Sequence, residues 1–88
     1  MTVVLRAVGF ANGVPCPHAG QWLRSFDFEA HNGRGFGIFT QRRHRAMKFA
    51  DTAAALAFWG RQSETKPLRP DGQPNKPLTA LTVTIEKL

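Results

Sequence analysis
The sequence predicts an α+β domain: a small, mostly antiparallel sheet of about four strands, ordered β-β-β-α-β, with one main helix packed on one face. Three observations carry this. Val3-Val4-Leu5-Arg6-Ala7-Val8 is rich in β-branched residues. Leu81, Val83 and Ile85 alternate with Thr82, Thr84 and Glu86. Between them, Ala53-Ala54-Ala55-Leu56-Ala57-Phe58-Trp59 is the best helix-forming run in the chain.

The first strand is expected over Val3–Val8, followed by a connection from Gly9 to Gly20. In that connection Asn12-Gly13 signals a turn, and Pro15 and Pro17 withhold backbone donors. From Gln21 the pattern has period two, with Trp22, Arg24, Phe26 and Phe28 on an aromatic inner face and Leu23, Ser25, Asp27 and Glu29 opposite. Phe36-Gly37-Ile38-Phe39-Thr40 continues as the next strand after Asn32-Gly33. A two-residue turn there would pair Phe28 with Gly37 and Phe26 with Phe39. An odd-length loop would set Phe28 opposite Phe36 and Phe26 opposite Ile38, gathering four apolar side chains, and burial favours this register. Gly35 and Gly37 suit a bulge or an aromatic lying across the strand.

Thr40 is placed to cap a following helical turn that would take in Ala46, Met47, Phe49 and Ala50. Asp51-Thr52 then offers an N-cap to the main helix, which ends at Gly60 or runs on to Gln62. The stretch Lys66–Pro77 holds four prolines and Asp71-Gly72, so it reads as a long irregular loop before the last strand. The first and last strands, richest in Val, Leu and Ile, are expected at the centre of the sheet.

Composition bounds the function. Eighty-eight residues make one domain, 1–88, which buries roughly 60–65% of its unfolded surface. One cysteine leaves no disulfide framework, so a reduced, cytoplasmic setting is expected. No apolar stretch reaches the ~18 residues of a membrane span, and Met1–Phe10 does not read as a signal peptide.

The net charge of +6 is unevenly distributed. Residues 1–29 sum to zero and 51–88 to +1, whereas 30–50 hold Arg34, Arg42, Arg43, Arg45 and Lys48 with no acid. Such a cluster at a strand-to-helix junction suits the phosphates of nucleic acid or another acidic partner, against the plain alternative of a solvated face. Most Phe and Trp side chains are claimed by the core, leaving no obvious base-stacking aromatics.

The Lys66–Pro77 loop, with Lys66, Arg69 and Lys76, is a second candidate surface, for a protein partner. Asp27, Glu29 and His31 would alternate outward as an acid–base line only if the strand ran that far. Cys16 and His18 lack the companions of a metal site, and Gly33-Arg34-Gly35-Phe36-Gly37 precedes a strand where a dinucleotide loop would open a helix. No enzyme, cofactor or metal is expected.

The segments Gly20-Gln21-Trp22-Leu23-Arg24-Ser25-Phe26-Asp27, Phe39-Thr40, Met47-Lys48-Phe49-Ala50-Asp51, Ala57-Phe58-Trp59, Arg69-Pro70-Asp71-Gly72 and Pro77-Leu78-Thr79-Ala80 resemble small uncharacterised proteins of proteobacterial genomes and prophages. The resemblance implies a bacterial or phage-borne setting and supplies no activity, cofactor or site. The expected function is a non-enzymatic binding module for nucleic acid or an acidic partner. The alternative is an adaptor or inhibitor of phage or host machinery, using the Pro-rich loop or a sheet edge.

Overall fold
The computed structural model describes residues 2–88. Four strands, β1 (Val3–Phe10), β2 (Trp22–Asp27), β3 (Phe36–Thr40) and β4 (Leu81–Lys87), form one antiparallel sheet in the order β3-β2-β1-β4, with one main helix at Thr52–Trp59. The α+β class and the β-β-β-α-β order therefore hold. The last strand does not lie at the centre. It pairs with β1 along its whole length, from Val3↔Lys87 to Phe10↔Leu81, and its other edge is open.

β1 supplies the deepest core residues, with Val3, Leu5 and Ala7 at 2% exposure or less. Around them gather Leu23 and Phe28, Leu78 and Leu81, and Ala55 of the helix. Burying a side chain such as Leu5 or Leu78 contributes about 1.5–3 kcal/mol. Three aromatic contacts knit the cluster: Phe26–Phe28 at 4.8 Å, Phe28–Phe58 at 5.1 Å and Phe49–Phe58 at 5.2 Å. The helix starts where the Asp51 carboxylate accepts the Ala54 N–H at 2.8 Å, and it stops at Gly60. Among the described residues no helix is long and apolar enough to cross a membrane.

Two features overturn the expected alternation of β2. A bulge at Arg24, between the pairs Leu23↔Phe39 and Ser25↔Ile38, breaks its period of two. Leu23 is therefore buried, although alternation assigned it to the outer face. The register is also different: Phe26 lies opposite Gly37 and Asp27 opposite Phe36. Phe36 and Ile38 are consequently 53% and 47% exposed, and the four-residue apolar cluster of the odd register does not form.

Glycine explains why this register wins. A Cβ on Gly35 would sit 2.4 Å from Phe26 Cζ, and one on Gly37 would sit 3.2 Å from Phe26 Cδ1. The ring thus lies across the two glycines, filling space that side chains would otherwise occupy. The connecting turn is longer than Asn32-Gly33 alone, because His31, Asn32 and Gly33 are all left-handed (φ 53°, 64° and 85°).

The segment after β3 also departs from expectation. Thr40 Oγ1 accepts the Arg42 N–H at 3.0 Å, forming a local turn that does not start a helix. A three-residue 3₁₀ turn, Arg43–Arg45, follows. Ala46–Ala50 is not helical: Met47 N–H donates to Leu23 O (2.9 Å), and Val3 and Phe49 exchange both backbone bonds (3.0 and 2.9 Å). This stretch bridges β1 and β2, which pair with each other only around Arg6↔Trp22.

Candidate nucleic-acid interface
The cross-strand pairs Trp22↔Thr40, Ser25↔Ile38 and Asp27↔Phe36 set the side chains of Phe36, Ile38 and Thr40 on the sheet face opposite Leu23 and Phe39. That face carries the two exposed apolar residues of an edge strand, with basic residues at either end. Arg34 lies before the strand, while Arg42, Arg43 and Arg45 follow it, and all four are exposed. The strand between them spans roughly 17 Å at ~3.4 Å per residue. The five predicted residues therefore form two groups, and Arg34 stands apart from the rest.

The Arg42–Lys48 group is held by its backbone. The Thr40 turn fixes its start, and Arg45 N–H and Ala46 N–H close the 3₁₀ turn on Arg42 O (2.9 Å) and Arg43 O (3.1 Å). Ala46 is buried at its end. Lys48 Nζ donates to His44 O (2.8 Å) and Ala46 O (3.3 Å), so this lysine stabilises the turn that carries the arginines. The turn is too short to offer the helix N-terminus expected at this junction; the helix begins nine residues after Arg43, at Thr52. Among the described residues, no carboxylate lies within 4.0 Å of the guanidinium of Arg34, Arg42, Arg43 or Arg45.

On the same sheet face, Glu86 accepts the Trp22 indole N–H at 3.0 Å and pairs with Arg6 at 3.4 Å. The Arg6 guanidinium lies 4.9 Å from the centre of the Trp22 ring and also donates to Gly20 O at 3.0 Å. The indole bond, then Arg6 and the nearby Arg43, hold the Glu86 carboxyl below its usual range despite partial desolvation. Arg6 is thus engaged, whereas the 42–45 arginines remain available to an external anion.

Two exposed residues depart from the sequence reading. The odd register assigns Phe36 to the apolar cluster, although its place between two glycines, Gly35 and Gly37, signals otherwise. Alternation assigns Arg24 to the inner aromatic face, and the bulge leaves it exposed. An arginine inside an otherwise aromatic stripe hinted at the break.

Arg34 meets the Pro-rich loop. A cleft of about 460 Å³ is lined by Asn32, Gly33 and Arg34 from the turn and by Lys66, Leu68, Arg69, Pro70 and Asn75 from the loop. The loop is more regular than its prolines suggest. Arg69 N–H donates to Gln73 O (2.8 Å), Asn75 N–H donates to Pro67 O (2.9 Å), and Gly72 supplies the left-handed turn residue (φ 84°). Lys66 and Arg69 reach the cleft, while Lys76 precedes the Pro77–Ala80 turn and takes no part in its lining.

The acid–base line does not form. Asp27 ends β2, and its carboxylate accepts the Glu29 N–H at 2.9 Å. Glu29 turns to the 63–65 segment, where its carboxylate accepts the Ser63 hydroxyl, the Glu64 N–H (2.8 Å) and the Thr65 N–H and hydroxyl (3.2 and 2.7 Å). The Ser63 hydroxyl first, then the Glu64 N–H and the Thr65 hydroxyl, lower its pKa from 4.5 to about 2. His31 sits in the left-handed turn with its ring 5.8 Å from Phe36. Cys16 is buried, and the His18 ring stacks on Phe39 at 4.5 Å. No group of three or more metal-ligating side chains occurs among the described residues.

Comparison of the chain with protein-family models, with curated proteins and with solved structures found no match in any of the three.

Proposed function
We propose that this chain is a cytoplasmic, non-enzymatic module that binds single-stranded nucleic acid across the open face of β3. The observation that carries the reading is Phe36, half exposed on an edge strand, with Arg34 before it and Arg42, Arg43 and Arg45 beyond. A strand running along β3 would place phosphates against the arginines and stack a base on the Phe36 ring. Ile38 extends the apolar platform. Stacking on an aromatic is worth about 1–3 kcal/mol per base and tolerates any sequence. The buried, unpaired Cys16 suits a reducing compartment.

The test is a titration of labelled single-stranded oligonucleotide at several salt concentrations. Four phosphate contacts, one for each arginine, give a log–log salt slope of roughly −2.8 on a single strand. Absence of binding at about 50 mM salt overturns the reading.

A second reading, a protein adaptor acting through a sheet edge, is favoured by the open side of β4. Leu88 N–H bonds Thr2 O on the β1 side, so by alternation the backbone groups of Val83 and Ile85 face outward. Beside them Leu56, Trp59, Val83 and Ile85 line an apolar groove of about 350 Å³. A peptide adding a strand there would slow hydrogen exchange at Val83 and Ile85. Nucleic acid on β3 would leave those amides unchanged.

A further inference from the structure
We propose that the cleft between the β2–β3 turn and the Pro-rich loop binds a phosphate monoester attached to a ring-bearing group. Its source is the terminal phosphate of a nucleic acid strand or a free nucleoside monophosphate. The first case rests on the nucleic-acid reading above; the second stands without it.

Three cations converge from parts of the chain more than thirty residues apart. Arg34 comes from the turn, Lys66 and Arg69 from the loop. One carboxylate stands against them: Asp71 Oδ1 lies 3.6 Å from Arg69 Nε. The cluster therefore keeps a surplus of about two positive charges, matching a monoester near its second ionisation better than a singly charged carboxylate or diester. Two guanidinium forks and one ammonium are the donors such a group takes.

The fold holds these like charges together. Asn75 Nδ2 donates to Gly33 O at 2.7 Å and to Lys66 O at 2.9 Å, tying the two walls to each other. Gly33, with φ 85°, leaves room for the lysine stem: a Cβ there would lie 2.5 Å from Lys66 Cβ. The Glu29 carboxylate anchors the start of the loop through Ser63, Glu64 and Thr65. The cleft is thus built by side-chain–backbone bonds and a required glycine.

Its size and lining set the rest of the ligand. A volume of about 460 Å³ exceeds what inorganic phosphate needs and falls within the range of small-molecule sites. Leu68, 59% exposed, and Pro70 give the loop wall an apolar surface for a sugar or base. Asn32 adds an amide on the opposite wall.

The experiment compares adenosine with adenosine 5′-monophosphate, and a 5′-hydroxyl with a 5′-phosphorylated oligothymidylate, by calorimetry at about 50 mM salt. The expected result is at least about tenfold tighter binding of the phosphorylated member of one pair or both. The double variant Lys66→Ala/Arg69→Ala should abolish that preference while leaving Tm and 5′-hydroxyl oligonucleotide binding unchanged. A preference confined to the nucleosides identifies a free monophosphate, and one confined to the oligonucleotides identifies a strand end. Equal binding within both pairs overturns the proposal, as does a preference that survives the double variant. If the monophosphate binds while neither oligonucleotide does, the cleft stands and the nucleic-acid reading fails.

Discussion

The Glu29 carboxylate accepts the hydroxyl proton of Ser63 across 34 positions of sequence, and Ser63 is 1% exposed. The same hydroxyl oxygen accepts the Lys66 N–H at 3.1 Å, so one bond couples the end of β2 to the start of the Pro-rich loop. Ser63→Ala should lower Tm by roughly 6–24 °C, the effect of losing one hydrogen bond to a charged group in a domain this small. It should also raise hydrogen exchange at Lys66, which a thermal melt and exchange measurements will show together.

Acid should loosen this tether. The folded Glu29 carboxyl titrates near 2, below its ordinary 4.5, so the unfolded chain takes up the proton at higher pH. Its contribution is present above about pH 4.5 and is lost as pH falls toward 2. Glu86 on β4, also held below its usual range, acts in the same direction. The gap in Tm between the parent and Glu29→Gln should be widest at neutral pH and close as melts move from pH 5 to pH 2. A gap independent of pH would show that the carboxylate charge plays no part.

The two glycines beneath the Phe26 ring should differ. Gly35→Ala combines a left-handed backbone (φ 86°) with a Cβ 2.4 Å from Phe26 Cζ and 2.9 Å from Pro77 Cβ. Strain and overpacking together should cost about 2–4 kcal/mol. Gly37→Ala keeps an ordinary φ and meets the Phe39 ring at 2.8 Å, which gives by rotation, for about 1–2 kcal/mol. Urea denaturation of the two variants tests the order.

The main helix depends on its cap. Asp51→Ala removes the acceptor of the Ala54 N–H and should cost about 0.5–2 kcal/mol, read as loss of helical ellipticity on mild heating.

Where local physics decides an element, the sequence was sufficient. Asp51 starts the helix because a carboxylate cap acts over a few residues, whereas its end, open in the sequence between Gly60 and Gln62, falls at Gly60. β4 alternates, and of the two roles the sequence leaves open for Gly35 and Gly37, a bulge or an aromatic lying across them, the second forms, with Phe26. Strand order and register were not legible. They depend on a bulge at Arg24 and on Phe49 bonding to Val3, contacts whose strength shows only once the strands are together. The same holds for the site: the arginines were visible as a charge cluster, but the register alone exposes Phe36. The meeting of Arg34 with Lys66 and Arg69 depends on the Asn75 bridge, which no local pattern announces.

Exposure separates the binding role of Phe36 from the folding of the core. Phe36 is 53% exposed and outside the buried cluster, so Phe36→Ala should move Tm by little while weakening oligonucleotide binding by about 1–3 kcal/mol, roughly 5- to 150-fold. Its salt slope should not change, because a phenyl ring displaces no counterions. Arg42→Ala/Arg43→Ala/Arg45→Ala should behave in the opposite way. It removes three phosphate contacts and should flatten the slope by about 2 units, each lost single-strand contact contributing ~0.7. Arg43 also lies near Glu86, so the triple variant should raise the pH at which that carboxyl titrates. Carbon-detected NMR titration of Glu86 provides a control independent of nucleic acid. A triple variant that binds with the parental affinity and slope, while Glu86 moves as expected, would remove the 42–45 arginines from the interface and leave binding to be sought elsewhere on the sheet.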